Sequence, residues 1–462
     1  MIPDRNVHFV SLGCPKNRVD AEHMLAILGV QGWQAVDDPE RAEAIVVNTC
    51  AFIEASKEES VDAILDMAQF KNSGRCKALV VSGCLAQRYA DQLAEEMPEV
   101  DYFLGTAEYA KIGEVLARAA GMPRRIVSDP DFVATSAVPR VNSMPRHTAY
   151  LKIAEGCSNK CAFCIIPTLR GLQNSREIDD LVIEAKRLAN SGVRELILVA
   201  QDLTAYGVDL PGRPQLHDLV AQLAEIEGLS WIRLMYAYPR NIKEPLLELM
   251  RDHPKVLPYL DMPIQHIDGA MLKRMKRATQ PEKIRSILHR LKAEVPGLTM
   301  RTTFIVGYPG ETEEEFQALY DFVEEMEFQR VGVFRYSQEE GTPAALLDGQ
   351  VSEKIKADRQ AAIMELQAGI HERHNKALIG RCIEVLVDGV SDETELLLQG
   401  RSNGQAPEID GITYINDGWA EPGDLVRLRI DEVHGYDLVG GIEEVIRPAA
   451  KGVETKGLEI LG

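Results

Sequence analysis

The stretch EGCSNKCAFCIIPTLRG, residues 155–171, places three of the chain's eight cysteines in one short loop. Cys157, Cys161 and Cys164 have the spacing Cys-x3-Cys-x2-Cys and follow a predicted strand, AYLKIA (149–154). Three thiolates in one loop can bind three irons of a cubane 4Fe-4S cluster and leave the fourth iron without a protein ligand. Zinc is the alternative, but a structural zinc site generally needs a fourth Cys or His at short spacing, and this loop holds none. The loop therefore predicts a metal centre with an open coordination position.

Length and composition indicate the general class of protein. The chain has 462 residues, which suggests about three domains of roughly 150 residues each. Its hydrophobic content of 45% and charged content of 26% are typical of a soluble globular protein. No run of about 18 apolar residues occurs, and residues 1–13 lack the features of a secretory signal. We therefore expect a cytoplasmic protein without a membrane segment, in which clustered cysteines bind metal rather than form disulfides.

Residues 5–120 alternate strands of the buried type with amphipathic helices. The strands VHFVSL (7–12), AIVVN (44–48) and ALVVS (78–82) are continuous apolar runs, as expected of parallel strands covered on both faces. This alternation predicts an α/β domain with a doubly wound parallel sheet. Residues 121–147 hold four prolines and show no lasting period, and we interpret them as a linker extended along the surface.

Residues 148–373 return to the strand–helix alternation and predict a partial β/α barrel. The last helix of this part is long and polar, begins after Ser352 and stops at Gly380. Residues 374–447 contain short strands with Gly and Asp turns, which predict a small antiparallel β-barrel. The predicted strands of the central domain are 149–154, 195–200, 231–236, 257–262, 299–307 and 330–336.

The cysteine loop, with Phe163 just before its last cysteine, resembles the cluster loop of the radical S-adenosylmethionine (SAM) enzymes. The resemblance implies that Cys157, Cys161 and Cys164 hold a catalytic 4Fe-4S cluster, whose open iron binds SAM. It also implies that Phe163 lies near the adenine, and that one electron cleaves SAM to methionine and a 5′-deoxyadenosyl radical. Such a radical takes hydrogen from an unactivated C–H bond, which acidic and basic side chains cannot do.

Polar or glycine-rich segments follow several strands of the predicted central barrel. They are Gln201-Asp202, YAYPRN (236–241), PIQH (263–266) and GYPGET (307–312). Because β/α barrels place their sites at the carboxyl ends of the strands, we interpret these segments as a SAM pocket. Gln201 and Gly307 are its candidate cofactor-binding residues. An ordinary turn is the alternative for Gly307, and a structural histidine is the alternative for His266.

Three of the remaining five cysteines occupy matched positions. Cys14, Cys50 and Cys84 each lie one to two residues beyond the carboxyl end of a predicted strand. If these strands are parallel, all three thiols emerge at one edge of the sheet, where open α/β folds bind ligands. Cys76 precedes its strand and belongs at the opposite edge, and Cys382 lies far away in the C-terminal barrel. A buried, unreactive role is the usual one for a lone cysteine, but three at matched positions predict a second, three-thiolate iron–sulfur cluster.

The combination of motifs resembles the methylthiotransferases over essentially the whole chain. The matching segments are SLGCPKN (11–17), NTCAF (48–52), SGCLAQ (82–87) and the radical SAM loop, followed by a C-terminal barrel. The resemblance implies an N-terminal domain with an auxiliary 4Fe-4S cluster, a radical SAM core and a TRAM barrel. One branch of the family thiomethylates adenosine in transfer RNA, and the other thiomethylates the β-carbon of an aspartate in small-subunit ribosomal protein twelve. CPKN (14–17) and VAQDLTAYGVD (199–209) are similar to the ribosomal-protein branch.

Charge gives an independent indication of the substrate. The chain has a net charge of −20, and residues 376–445 contain five Lys or Arg against fifteen Asp or Glu. Since phosphate contacts supply most of the affinity for nucleic acid, an acidic barrel favours a basic ribosomal protein over direct binding of transfer RNA. The segment 272–292 has eight basic residues and one Glu, and could contact phosphate, although a solvated helix face is the more common explanation. We expect no membrane partner, and an electron donor as a further partner.

Two other classes of function stay open on the sequence. The first is the transfer RNA adenosine methylthiotransferase of the other branch. The second is a protein without SAM chemistry, either a two-cluster electron-transfer protein or a binding module that uses its C-terminal barrel. Formation of 5′-deoxyadenosine from SAM would separate both forms of the second class from the enzyme.

Overall fold

The computed structural model describes residues 5–117, 122–240, 242–449 and 460–461. Its first part is an α/β layer around a six-stranded, fully parallel sheet in the order β2-β1-β3-β4-β5-β6. Its strands are β1 (Asn6–Ser11), β2 (Gln34–Ala35), β3 (Ala44–Thr49), β4 (Ala78–Gly83), β5 (Tyr102–Leu104) and β6 (Arg125–Ile126). Its helices are α1 (Pro15–Val30), α2 (Glu54–Ala68), α3 (Phe70–Ser73), α4 (Cys84–Glu96) and α5 (Ile112–Leu116). The fully buried β3 and β4 explain the continuous apolar runs, because helices cover both faces of the sheet.

The prediction that residues 121–147 form a linker along the surface is partly wrong. Residues 125–126 form β6 at the edge of the first sheet, and β7 (Arg140–Val141) pairs with a final strand, Ile460–Leu461. Arg140 is buried at 2% exposure between Glu22 of α1 and Glu184, at 2.8 and 2.5 Å. In a sequence, a charged residue predicts an exposed position. Here Arg140 can be buried because carboxylates from two domains pair with it. Residue 121 lies outside the described residues.

The central part is an open, fully parallel sheet of six strands in sequential order, as a partial β/α barrel requires. Its strands are β8 (Thr148–Lys152), β11 (Glu195–Val199), β12 (Trp231–Leu234), β13 (Val256–Asp261), β14 (Thr299–Val306) and β15 (Arg330–Arg335). A small antiparallel pair, β9 (Ala154–Glu155) and β10 (Asn174–Ser175), flanks the cysteine loop. The helices are α6 (Ile166–Arg170), α7 (Ile178–Asn190), α8 (Leu216–Ala224), α9 (Glu244–Asp252), α10 (Gly269–Arg274), α11 (Pro281–Glu294), α12 (Glu313–Met326) and α13 (Glu353–Lys376). Short 3-10 helices occur at Pro39–Arg41, Tyr109–Lys111, Leu203–Ala205 and Pro343–Leu346.

The C-terminal barrel and the first domain contact the inner face of this curved sheet at opposite ends of its strands. Alternate residues of β8 point inward, and Thr148 and Lys152 mark its two ends. Thr148 accepts a hydrogen bond from Arg401 of the C-terminal barrel at 2.9 Å, whereas Lys152 binds Asp20 of α1. The C-terminal barrel therefore covers the amino ends of the strands, and the first domain lies over the carboxyl ends.

The C-terminal part is a closed five-stranded barrel in the order β16-β17-β18-β20-β19. Four of its five pairs are antiparallel, but β18 and β20 pair in parallel. A ring with an odd number of strands cannot alternate direction all the way round, so one parallel pair is required. The strands are β16 (Cys382–Val390), β17 (Leu398–Ser402), β18 (Thr413–Asp417), β19 (Leu425–His434) and β20 (Asp437–Arg447), and β21 (Ile460–Leu461) ends the described chain. Among the described residues, no helix has the length and apolar character to cross a membrane.

Candidate functional site

The structure brings Cys14, Cys50 and Cys84 to the carboxyl edge of the first sheet. Cys14 precedes α1, Cys50 directly follows β3, and Cys84 is the first residue of α4. Gly13 has a φ of +91°, and a Cβ there would lie 2.9 Å from the Cβ of Cys50. Only glycine allows so close an approach of these two loops. Cys76, by contrast, lies before β4 and contacts the Ala78 carbonyl, and Cys382 is exposed beside Glu443.

Burial and charge both act on the thiols of this edge. Burial raises the pKa of Cys50, and it raises the pKa of Cys84 to about 12. The Arg170 guanidinium opposes this effect at both thiols. Because iron binds the thiolate, a nearby cation that favours the charged form fits a site for an iron–sulfur cluster.

The second cysteine loop is fixed on both sides by backbone hydrogen bonds. The Cys157 amide donates to the Gly171 carbonyl at 3.0 Å, and the Ala162 amide donates to the Met275 carbonyl at 2.9 Å. Burial raises the pKa of Cys157, and it raises the pKa of Cys164 to about 12. Arg277 donates to the Cys161 sulfur at 3.6 Å, so this loop also has a cation beside a thiol. The loop thus combines a defined backbone with a charge that favours thiolates.

Neither set of cysteines is arranged around a single ion. Among the described residues, no three His, Cys, Asp or Glu side chains converge on a point that could hold one metal ion. The thiolates of a cubane cluster bind three different irons, so they need not converge. The three thiols of each set and the adjacent arginines are compatible with a cluster at each set.

A buried network of charges joins the two sets of cysteines. Lys152 contacts Asp20 and, at 2.8 Å, Glu155. Arg170 contacts the same two carboxylates at 2.8 and 3.0 Å and also donates to the Asn17 side chain. All four charged side chains of this network are at most 7% exposed. Arg170 lies at the end of α6, directly after the second cysteine loop, yet it reaches the helix that follows Cys14.

The residues expected to contact SAM lie in different surroundings. Gln201 donates to Glu155 at 2.7 Å, and its buried Oε1 has no partner among the described residues. Phe163 packs against an apolar cluster of the core that includes Met271 and Tyr308. Gly307 has a φ of +71°, and a Cβ there would overlap Lys356 of α13, so its lack of a side chain has a packing reason.

His266 lies between Asp268 and Glu311. It is fully buried, and its Nδ1 accepts a hydrogen bond from the Asp268 amide at 3.0 Å. Its Nε2 therefore carries the proton and faces Glu311 at 3.3 Å.

Sequence reasoning missed the charged residues around the two sets of cysteines. Arg170 stands within the stretch first quoted, but its partners Asp20 and Asn17 lie about 150 positions away in the chain. Arg277 belongs to the basic run 272–292, which the sequence assigned to a solvated helix face. The structure also contains a cavity of about 510 Å³ beside the second cysteine loop. Arg240 in its lining belongs to the segment 236–241 that the sequence assigned to the SAM pocket, whereas the other lining residues Ser158, Asn159, Thr204, Arg213 and His217 were not singled out.

Comparisons with known proteins match the three-part architecture of the chain. Family models match in three places: Uncharacterized protein family UPF0004 over residues 6–105, the Radical SAM superfamily over 151–323, and the TRAM domain over 379–442. A ribosomal protein uS12 methylthiotransferase RimO from Myxococcus xanthus is 55% identical over 97% of this chain and 93% of that protein. The protein of the same name from Geobacter sulfurreducens is 51% identical over 94% of this chain and 98% of that protein. The chain belongs to the ribosomal protein uS12 methylthiotransferase family.

Solved structures support the fold of this methylthiotransferase. The radical SAM methyltransferase TsrM from Kitasatospora setae has a TM-score of 0.56 at 14% identity, over 74% of this chain and 77% of that one. The cobalamin-dependent radical SAM enzyme OxsB has a TM-score of 0.50 at 12% identity, over 78% of this chain and 56% of that one. At such identities the likeness concerns the fold alone. Membership of the Radical SAM superfamily implies a 4Fe-4S cluster and SAM as cofactors of the methylthiotransferase.

Proposed function

We propose that the protein adds a methylthio group to the β-carbon of an aspartate in ribosomal protein uS12, and that it does so in the cytoplasm. The observation that carries this proposal is the pair of three-cysteine sets that Arg170 connects. Its side chain contacts Asn17 beside the first set, and its backbone follows the second. Relatives that match the chain over almost its whole length bear the name of this activity.

In this proposal each set of cysteines holds one 4Fe-4S cluster. Cys157, Cys161 and Cys164 hold the cluster that binds SAM, with Phe163, Gln201 and Gly307 as candidate contacts of the cofactor. Cys14, Cys50 and Cys84 hold an auxiliary cluster. When bound, these cofactors supply the radical and the methylated sulfur. The buried charges of Asp20, Lys152, Glu155 and Arg170 hold the two sites in fixed relation and exclude water between them. The protein in this proposal has domains at 5–120, 148–373 and 374–447, with residues 121–147 between the first two.

The charges of the surface support a basic protein as the substrate. Asp392, Glu393 and Glu395 are exposed at one end of the C-terminal barrel. The basic run 272–292 offers less to phosphate than its composition indicates, because several of its cations are already paired. Arg274 binds Glu315, Arg285 binds Glu325, Arg290 binds Glu294, and Lys292 binds the Met326 carbonyl.

The experiment is an anaerobic assay of the reconstituted enzyme with SAM, a reductant and uS12, free or in the small subunit. Mass spectrometry of uS12 should show the methylthio group on one aspartate. The Cys157→Ala variant should form no 5′-deoxyadenosine and keep the auxiliary cluster. The triple Ala variant at Cys14, Cys50 and Cys84 should lose about four irons and still cleave SAM, but make no thiomethylated product.

Matched controls are available for the cysteine variants. Cys76→Ser and Cys382→Ser should retain the iron of both clusters, because neither residue lies with either set. Loss of iron in one of them would contradict the assignment of ligands. Modification of adenosine in transfer RNA, with uS12 left unmodified, would assign the protein to the other branch of the methylthiotransferases.

A further inference from the structure

Lys16 is a buried cation without an acidic partner. It lies in the first turn of α1 and is 7% exposed. Its Nζ stands 3.8 Å from the centre of the Tyr236 ring. Within the described chain it makes no hydrogen bond and no ion pair. Burial of an ammonium group costs free energy unless an anion compensates it, so such a residue indicates a missing anionic ligand.

The carboxylates near Lys16 are occupied by other cations. Asp20 lies one turn further along α1, on the same face, but it binds Lys152 and Arg170. Asp261 receives a hydrogen bond from Arg301 at 2.9 Å and another from the Tyr236 amide at 3.1 Å. Among the residues that the structure describes, no carboxylate therefore neutralises Lys16.

Lys16 lies at a position where the reacting group of a substrate can bind. It comes two residues after Cys14, at the edge of the first sheet. Tyr236, which it contacts, follows β12 at the carboxyl ends of the core strands, where β/α barrels bind their substrates. The N-terminus of α1, a helix of 16 residues with no acidic residue in its first turn, adds partial positive charge at the same place.

We propose that Lys16 binds the side-chain carboxylate of the substrate aspartate and so places its β-carbon between the two sets of cysteines. This inference rests on the proposed function and adds a residue that determines specificity. An ammonium group pairs with a carboxylate, and the carboxylate is the group adjacent to the carbon that is modified. Adenosine carries no carboxylate, so the same contact disfavours a nucleoside at this position. The methionine part of SAM is the other source of a carboxylate, and the experiment separates the two.

The experiment is a double-mutant cycle between enzyme and substrate. Wild-type enzyme and Lys16→Met are each titrated with uS12 and with uS12 in which the modified aspartate is replaced by Asn. We expect Lys16→Met to bind natural uS12 roughly 10- to 100-fold more weakly, the range for loss of a charged hydrogen bond. It should bind the Asn form as the wild type does. Lys16→Arg should recover part of the binding, since it restores the charge.

Two further measurements exclude other roles for Lys16. Iron content and 5′-deoxyadenosine formation in the absence of uS12 should equal those of the wild type. Lys186→Met is the matched control, because Lys186 is exposed on α7. This substitution removes the same charge as Lys16→Met. It should change neither binding nor turnover.

Each other outcome overturns the inference in its own way. Equal weakening of both forms of uS12 would mean that Lys16 does not contact the carboxylate. Weaker binding of SAM would assign the carboxylate to the cofactor, and loss of iron would assign Lys16 to the auxiliary cluster. If wild-type enzyme fails to modify uS12, the proposed function falls. If Lys16→Met modifies it at the wild-type rate and affinity, only this inference falls.

Discussion

Arg170 serves two parts of the molecule with one side chain. Its guanidinium is 1% exposed and contacts Asp20 and Glu155 at 2.8 and 3.0 Å. The cysteine edge of the first domain adds to the charge it faces, since Cys84 and Cys14 both favour its charged form. A cation in this position offsets the desolvation of two carboxylates and of the thiolates together.

Removal of this cation should therefore destabilise the protein strongly. We expect Arg170→Met to lower the free energy of unfolding by about 3–5 kcal/mol, because it leaves two buried carboxylates with one lysine between them. Urea denaturation of the apoprotein measures this change. Arg427→Met is the control, because the Arg427–Glu444 pair is exposed and such pairs contribute about 0–1 kcal/mol. Equal losses in the two variants would contradict the importance of the buried network.

His23 predicts a dependence of stability on pH. Burial lowers its pKa to about 3, and its Nδ1 contacts the Pro139 carbonyl at 3.0 Å. Nearby Glu184 favours its charged form, while Arg140 and Lys152 oppose it. The unfolded chain binds a proton at a pKa near 6.5, whereas the folded one does not until about pH 3. The contribution of His23 therefore lowers the free energy of unfolding as pH falls from 6.5 towards 3, and becomes constant below that.

The His23→Asn variant tests this dependence, since an amide can keep the bond to Pro139 without titrating. Urea denaturation of the apoprotein between pH 4 and 7 should give a slope against pH that is smaller by up to about 1.4 kcal/mol per pH unit. The exposed His434 provides the control variant, His434→Asn, which should keep the wild-type slope. An unchanged slope in His23→Asn would show that His23 is not buried as a neutral group.

At this scale the sequence predicted the ligand candidates but not their surroundings. Cysteine spacing and position after strands are local features, so both sets of three could be read directly. The contacts of Arg170, Lys152 and Arg140 with α1 could not, because the pairs with Asp20 and Glu22 join residues more than 100 positions apart. Only the packing of α1 against the core brings them together.

At the scale of elements, the loop after β14 offers a comparison between two glycines. Gly307 and Gly310 have φ values of +71° and +74°, but only at Gly307 would a Cβ overlap a neighbour, Lys356. Gly310→Ala should cost about 1–2 kcal/mol of stability, from the left-handed backbone alone. Gly307→Ala should cost more, because Lys356 must also move. Urea denaturation distinguishes the two, and equal costs would contradict the packing reason for Gly307.

The order of strands and helices could be predicted from the sequence. The pairing of the strands could be predicted only in part. The parallel sheets were predictable because strands alternate with helices, and the closed barrel was predictable from its short strands. The parallel pair β18–β20 was not, since it is a property of ring closure rather than of any one strand. The pairing of β7 with β21 joins residues more than 300 positions apart, which no local pattern indicates.

At the scale of the whole molecule, the C-terminal barrel is fixed to the core. Arg401 is buried and binds Glu195 of β11 and, at 2.9 Å, Asp388. Asp410 accepts a hydrogen bond from Tyr259 at 2.8 Å. Although Asp388 counts towards the acidic charge in the sequence, it belongs to this interface and cannot contact a substrate. The acidic surface is therefore held at one position relative to the site.

Charge reversal of this surface should weaken substrate binding. We expect the triple Lys variant at Asp392, Glu393 and Glu395 to bind uS12 more weakly and to lose most of the salt dependence of binding, because salt screens charges over about 8 Å at physiological strength. SAM cleavage without uS12 should not change. The measurement is the Kd for uS12 at several salt concentrations. Unaltered salt dependence would show that another surface attracts the substrate.

The strand β21 has a consequence for the order in which the protein is made. Ile460 pairs with Val141 of β7, and its side chain lies against Gly29 near the end of α1. The first domain leaves the ribosome before the core does, yet one of its contacts needs residues 460–461, which are synthesised much later. During translation, the surface of α1 and β7 that β21 covers stays exposed while more than 300 further residues are added. The packing of α1 is therefore complete only after residues 460–461 have left the ribosome.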